Sequence, residues 1–276
     1  MNQQSHRPYR LAIVTGASSG IGAAFAERLA RDKCELIIVA RRVGRLETLA
    51  SILRQKYSAK VEVLQADLAD RAQLKSLEDR ITHEPTIDLL VNNAGFGGYR
   101  PFANLETEKA DELIQVQVTA VTRLTRAVLP AMIANKKGTI INVSSRFAFS
   151  GSLTAPSLPK RAVYAGTKAY VNTFTQILHN ELAGTGVKVQ ALCPGVVRTE
   201  FHERMGLDPN RIPASMVMKV EDVVEASLAG VRLGEVICIP PLVEPTLLDQ
   251  VHQSEVKLWE GSNGGSAAER YSAKSV

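Results

Sequence analysis

Leu11 to Gly22 read LAIVTGASSGIG: four apolar residues, a turn containing Gly16 and Gly20, and the opening of an apolar-periodic segment that runs from Ile21 to Ala30. The apolar run is too short for a helix and has the length of a buried strand. Glycines allow a tight turn and a close approach of backbone to a pyrophosphate. The helix that follows presents unpaired N–H groups to an anion. Glycines alone make only a flexible turn; the position directly after the first strand gives this one its phosphate-binding meaning.

The same unit repeats along the chain. Leu36 to Ala40, Val61 to Leu64, Ile87 to Val91, Thr139 to Val143, Val187 to Leu192 and Val236 to Ile239 are short apolar runs. Between them lie helical patterns, with Leu46, Leu49, Ala50 and Leu53 on one face and Leu74, Leu77 and Ile81 on the next. A long helix is expected from about Thr107 towards Asn135, bent near Pro130, and another from Tyr164 to Leu182. Strands apolar on both faces, alternating with helices, predict an α/β Rossmann-type fold, a doubly wound and largely parallel sheet with helices on both faces. A TIM barrel is the alternative. Residues 1–9 read as a polar extension, 10–260 as one catalytic domain, and 261–276, rich in Gly and Ser at its start, as a flexible tail. Leu247, Val251 and Leu258 share an apolar stripe that either packs on the domain or meets another subunit.

The 276 residues carry a net charge of +5 with no Lys/Arg run, which argues against nucleic-acid binding as the main role. Cys34, Cys193 and Cys238 are too scattered for a disulfide framework or a zinc site, and the five histidines form no metal motif. A polar start and the absence of a membrane-length apolar stretch point to a cytoplasmic protein without a transmembrane segment.

Chemistry concentrates at strand ends. Ile38 to Arg42 read IVARR: where an acidic residue would suit a free adenosine ribose, Arg41 and Arg42 suit a ribose phosphate, which favours NADP(H). Asp67 follows the third strand and reads either as an adenine contact or as a helix cap. Tyr164 and Lys168 lie four apart, on one helical face, where an ammonium favours tyrosinate; such a pair is also common on plain surfaces. Ser144 and Ser145 follow the strand ending at Val143 and offer hydroxyls to a substrate oxygen or to a helix end. No G-x-S-x-G elbow or Asp-His pattern supports serine hydrolysis.

In their shared order, these signals resemble the classical short-chain dehydrogenase/reductase family, NADP(H)-preferring branch, over Arg10 to Ile239. The motifs are TGASSGIG at Thr15–Gly22, Asp67 with Leu68, NNAG at Asn92–Gly95, Ser145, YAGTK at Tyr164–Lys168 and PGVVRT at Pro194–Thr199. The resemblance implies hydride transfer between nicotinamide C4 and a carbonyl or alcohol carbon, with Tyr164 as general acid/base. Ser145 would orient the substrate oxygen, and Lys168 would lower the tyrosine pKa and contact the nicotinamide ribose. Gly16, Ser18 and Ile21 would surround the cofactor phosphates, with Arg41 supporting the NADP(H) preference. Asp67 would contact adenine, Asn93 and Gly95 would line the cofactor path, and Pro194, Gly195 and Thr199 would shape the nicotinamide side. A homodimer or homotetramer is also implied.

Two departures stand out. Gln117 occupies the place where the family commonly has an asparagine supporting a proton-relay water. Ser145 and Tyr164 are separated by a long segment, RFAFSGSLTAPSLP at Arg146–Pro159. Phe96, Phe147, Phe149 and Leu153 favour a partly apolar carbonyl or alcohol substrate over a charged sugar, unless they only pack their loops. An NADP(H)-binding sensor or scaffold is the competing reading, as is another reaction on the same fold.

Overall fold

In the computed structural model, which describes residues 8–155, 158–203 and 212–271, the first apolar run is β1 (Leu11–Thr15), and the glycine-rich turn leads into α1 (Gly20–Arg31). Then follow β2 (Glu35–Ala40), α2 (Val43–Tyr57), β3 (Val61–Gln65), α3 (Arg71–Thr82) and β4 (Ile87–Asn92). The second half holds α4 (Thr107–Ile114), a π-helical turn (Gln115–Thr119), α5 (Ala120–Ala134), β5 (Gly138–Val143), α6 (Ala162–Glu181) and β6 (Val187–Leu192). Short β7 (Val196–Val197), α7 (Glu200–Glu203) and β8 (Val217–Met218) precede α8 (Val220–Leu233), β9 (Ile237–Cys238) and α9 (Thr246–Gly261).

Seven strands form one parallel sheet in the order β3-β2-β1-β4-β5-β6-β9, while β7 pairs with β8 apart from it. This is the doubly wound sheet, not a barrel. The order reverses between β1 and β4, which opens a crevice at their carboxyl ends. Successive side chains point to opposite faces of a strand. Val14, Ile38 and Val91 therefore pack with α1, α2 and α8 on one side, and Ile13, Ile37 and Leu90 with α3, α5 and α6 on the other.

Gly16 holds the turn after β1. Its φ of +66° is a left-handed value, and a Cβ there would lie 2.8 Å from the Ala94 Cα and the Asn93 amide. Polar side chains fix the second half of the site. Asn92 and Asn142 face each other across β4 and β5, and the Asn92 amide donates to Asn142 Oδ1 (2.9 Å) and to Thr125 on α5 (3.1 Å). Asn142 in turn donates to Thr175 on α6 (3.0 Å). These buried bonds register α5 and α6 on the sheet, and so aim the residues those helices carry.

The long helix also has an irregularity the sequence did not predict. Pro130 sits inside α5, and the irregularity is the π-turn Gln115–Thr119, where an extra residue widens the turn around Gln117. Helix α8 went unread in the sequence, although Val223, Val224, Leu228 and Val231 form its buried face and Gly234, at φ +83°, ends it. The chain divides into two compact units at Pro240/Pro241. In the second, α9 carries no buried residue and ends at Gly261, and a single 3-10 turn (Glu269–Tyr271) follows. Most of the polar extension, residues 1–7, and the end of the tail, 272–276, lie outside the described residues, as do 156–157 within the long Ser145–Tyr164 segment. Among the described residues no helix is long and apolar enough to cross a membrane.

Candidate active site

A cleft of about 360 Å³ opens at the carboxyl ends of the strands, and every residue singled out above for catalysis or cofactor binding lines it. Its chemical end is built by β5 and α6. After Val143 the chain turns, and the two serines part company. Ser144 donates its hydroxyl to the Lys168 carbonyl (3.0 Å). Ser145 accepts from the Phe147 amide (3.2 Å) and lies near enough to the Tyr164 hydroxyl to lower its pKa. Ser145 is thus the hydroxyl presented to the reacting group.

Tyr164 and Lys168 sit one turn apart on α6, each only 5% exposed. The Lys168 ammonium donates to the Val143 carbonyl (2.8 Å) and lies 5.6 Å from the centre of the Tyr164 ring. Here the balance of effects differs from the expected one. Burial pushes the Tyr164 hydroxyl up to about 12, against the lowering influence of the neighbouring Ser145 and Tyr99 hydroxyls. Burial also brings Lys168 down to about 8. Removing a charge from water outweighs the attraction expected between ammonium and phenolate. Tyr164 is therefore a neutral phenol at physiological pH, ready to give a proton.

Gln117 projects from the π-turn and is 1% exposed. Its Nε2 donates to the Phe96 carbonyl (2.9 Å), while its Oε1, also buried, accepts no bond from the described residues. A Cβ added to Gly95 would lie 3.4 Å from that oxygen, so Gly95 packs closely against the amide.

At the other end, α1 starts at the glycine-rich turn. Its N-cap, Ser19, makes no side-chain capping bond, so the positive end of the helix faces the cleft. The Arg42 guanidinium joins it there, donating to Ser18 Oγ (2.9 Å) and Ser19 Oγ (2.8 Å), and pairs with Glu200 (2.9 Å). Arg45 pairs with the same carboxylate, and the two guanidinium groups hold Glu200 down to about 2. Arg41 is half exposed, 3.2 Å from Glu112 and 3.6 Å from Asp67. Asp67 is not the cap of α3. That role belongs to Asp70, which accepts from Ala72 and Gln73, while Asp67 accepts from the Ala69 amide beside Arg41. The Asn93 side chain donates to the Thr15 and Gly16 carbonyls and so shapes the turn itself. A helix N-terminus and two arginines, with no acid at the end of β2, fit a phosphate-bearing dinucleotide whose ribose carries an additional phosphate.

The wall facing Tyr164 is aromatic. Phe147, expected from the sequence, lies 6.3 Å from the Tyr164 ring. Two residues that sequence reasoning missed complete it: Tyr99 at 5.2 Å, edge to face, and Phe201 at 6.0 Å. Neither carries a motif; both stand in irregular or short segments whose path only the folded chain reveals. Phe96 lines the cleft under the Lys109 ammonium, 4.0 Å from its ring centre. Of the four apolar residues, Phe96 and Phe147 line the cleft, while Phe149 and Leu153 lie outside it and are 38% and 56% exposed.

The short chain dehydrogenase profile matches residues 10–210. An uncharacterised oxidoreductase of Staphylococcus epidermidis is 34% identical over 215 residues, covering 75% of this chain and 89% of the relative. Among solved structures, the short-chain dehydrogenase of Sphingobium yanoikuyae in complex with NADPH is 38% identical, with a TM-score of 0.88 over 95% of this chain and 100% of that one. The bulky-bulky ketone specific alcohol dehydrogenase of Comamonas testosteroni is 36% identical, with a TM-score of 0.85 over 95% and 98%. The chain belongs to the short-chain dehydrogenase/reductase family, and it is an oxidoreductase of the NADP(H)-using kind with a tyrosine acid/base.

Proposed function

We propose that the protein reduces bulky, apolar ketones or aldehydes to alcohols with NADPH, and catalyses the reverse oxidation with NADP+. One observation carries this reading: Tyr164, next to Ser145 and Lys168, faces an aromatic wall of Tyr99, Phe147 and Phe201 inside the cleft that the phosphate-binding turn enters. The bound cofactor supplies or takes the hydride at nicotinamide C4. The protein's own work is to position the substrate and to move a proton. Ser145 orients the carbonyl oxygen, and Tyr164, neutral through burial, gives it a proton. The Lys168 ammonium then stands beside the phenolate that remains. Arg41, Arg42, Ser18 and the start of α1 would hold the phosphates.

The solved relatives support this reading, one by its bound NADPH and the other by its stated preference for ketones bulky on both sides. Three buried cysteines, none of them in a disulfide among the described residues, accord with a reducing, cytoplasmic setting. The homodimer or homotetramer implied by the family is part of the same reading, and sedimentation tests it. The substrate class is tested by following NADPH consumption over a panel of carbonyls. We expect kcat/KM for aryl ketones with two large substituents to exceed that for a sugar aldehyde at least about tenfold, because polar hydroxyls would lose water against an aromatic wall. Equal or reversed preference would remove the apolar-substrate reading.

A further inference from the structure

Tyr99 lies in the irregular segment between β4 and α4, on no motif, and its ring packs directly against the catalytic tyrosine. Its ring meets Tyr164 edge to face at 5.2 Å and 87°, meets Phe147 at 5.8 Å and 84°, and stands 6.4 Å from Phe201. Two flanking rings leave the phenol little freedom, and it lines the same cleft as Tyr164, close enough for each phenol to influence the other's ionisation. We propose that Tyr99 is a positioning residue for proton transfer: its O–H donates to the Tyr164 oxygen, directs the Tyr164 proton towards the substrate, and holds the phenolate formed when that proton leaves.

The proton balance follows directly. In reduction the Tyr164 O–H bond breaks, the proton joins the substrate oxygen, and the electron pair stays on the Tyr164 oxygen. That oxygen then needs donors, and a phenol is a stronger donor to a phenolate than to another phenol. In oxidation the same phenolate must form before it can take the alcohol proton, so a donor that favours it raises the fraction of active enzyme at a given pH. Tyr99 keeps its own proton throughout, because burial and the neighbouring Tyr164 both push its ionisation upwards. Ser145 cannot replace it. That hydroxyl is also the one offered to the substrate oxygen, whereas Tyr99 approaches from the aromatic wall.

This inference rests on the acid/base role of Tyr164, and the test separates the two. Tyr99→Phe keeps the ring and its edge-to-face contacts and removes only the donor. We expect the alkaline-rising limb of kcat/KM for alcohol oxidation to move up by about one pH unit, with an approximately tenfold lower rate below the limb. NADPH affinity, read by fluorescence, should not change. Tyr99→Leu, which removes ring and donor together, should show the same displacement of the limb and a raised KM for bulky substrates. A role confined to packing would raise KM without moving the limb. A limb in the wild-type position for either variant would overturn the proposal. If Tyr164→Phe retained turnover, the reading of Tyr164 itself would fall; inactive Tyr164→Phe together with an unmoved limb in Tyr99→Phe would sink the Tyr99 proposal alone.

Discussion

Burial does opposite things to the two titrating groups of the reaction: it keeps the proton on Tyr164 and loosens it from Lys168. Both shifts favour the neutral forms, as removal from water must, and together they make the resting site a proton donor and not a base. Gln117 belongs to this chemistry by position. It has kept the amide of the family's asparagine, with one methylene more, and it projects from the π-turn Gln115–Thr119. Its Nε2 is tied to the Phe96 carbonyl, which leaves Oε1 as the buried acceptor beside Gly95. Gln117→Ala should therefore slow proton-coupled reduction while NADPH affinity holds. It should also lower stability by about 1–3 kcal/mol, since the Phe96 carbonyl loses its donor. Single-turnover rates across pH and thermal unfolding measure the two effects. Indistinguishable rates in folded protein would exclude a part for the amide in proton transfer.

The units that hold these groups were legible to different degrees. Each β-strand of the main sheet was visible as an apolar run because burial on both faces demands one, and its ends were found to within a residue or so. The turn at Thr15–Gly22 was legible because only glycine tolerates φ of +66° with the Asn93 amide so close. The π-turn was not, since one extra residue in a helix leaves no period in the sequence. Helix α8 shows that a readable pattern can still be passed over. The end of β2 offers a direct test. Arg41 stands half exposed between Glu112 and Asp67, a cation already flanked by carboxylates, and a ribose phosphate would have to draw it from them. Arg41→Ala should weaken NADPH by roughly 1.5–3 kcal/mol, the range of a charge-assisted bond, and NADH far less. Equilibrium fluorescence titration of both cofactors at one ionic strength measures this. Equal losses would show that Arg41 acts on the fold of the cleft and not on the phosphate.

The reversal of strand order between β1 and β4 brings the two ends of the chemistry together. It places the phosphate-binding turn and the β5–α6 proton machinery along one cleft, although Gly16 and Lys168 are far apart in sequence. The Asn92–Asn142 pair and its bonds to Thr125 and Thr175 then lock α5 and α6 to the sheet, so Gln117 and Tyr164 keep their aim without help from the surface loops. Motif order made this convergence readable before the fold was seen, because strand ends are where such a sheet collects its functional side chains. The aromatic wall was beyond that reach: Tyr99 and Phe201 come from segments whose course follows from packing around Tyr164. The central claim is that this cleft reduces carbonyls by giving up the Tyr164 proton. Single-turnover reduction of a bulky aryl ketone by enzyme preloaded with NADPH tests it most directly, comparing wild type with Tyr164→Phe. The account predicts that the variant binds NADPH as tightly as the wild type and reduces the ketone at least about a hundredfold more slowly, the lower end of what a positioned general acid contributes. Reduction by Tyr164→Phe at close to the wild-type rate would contradict it.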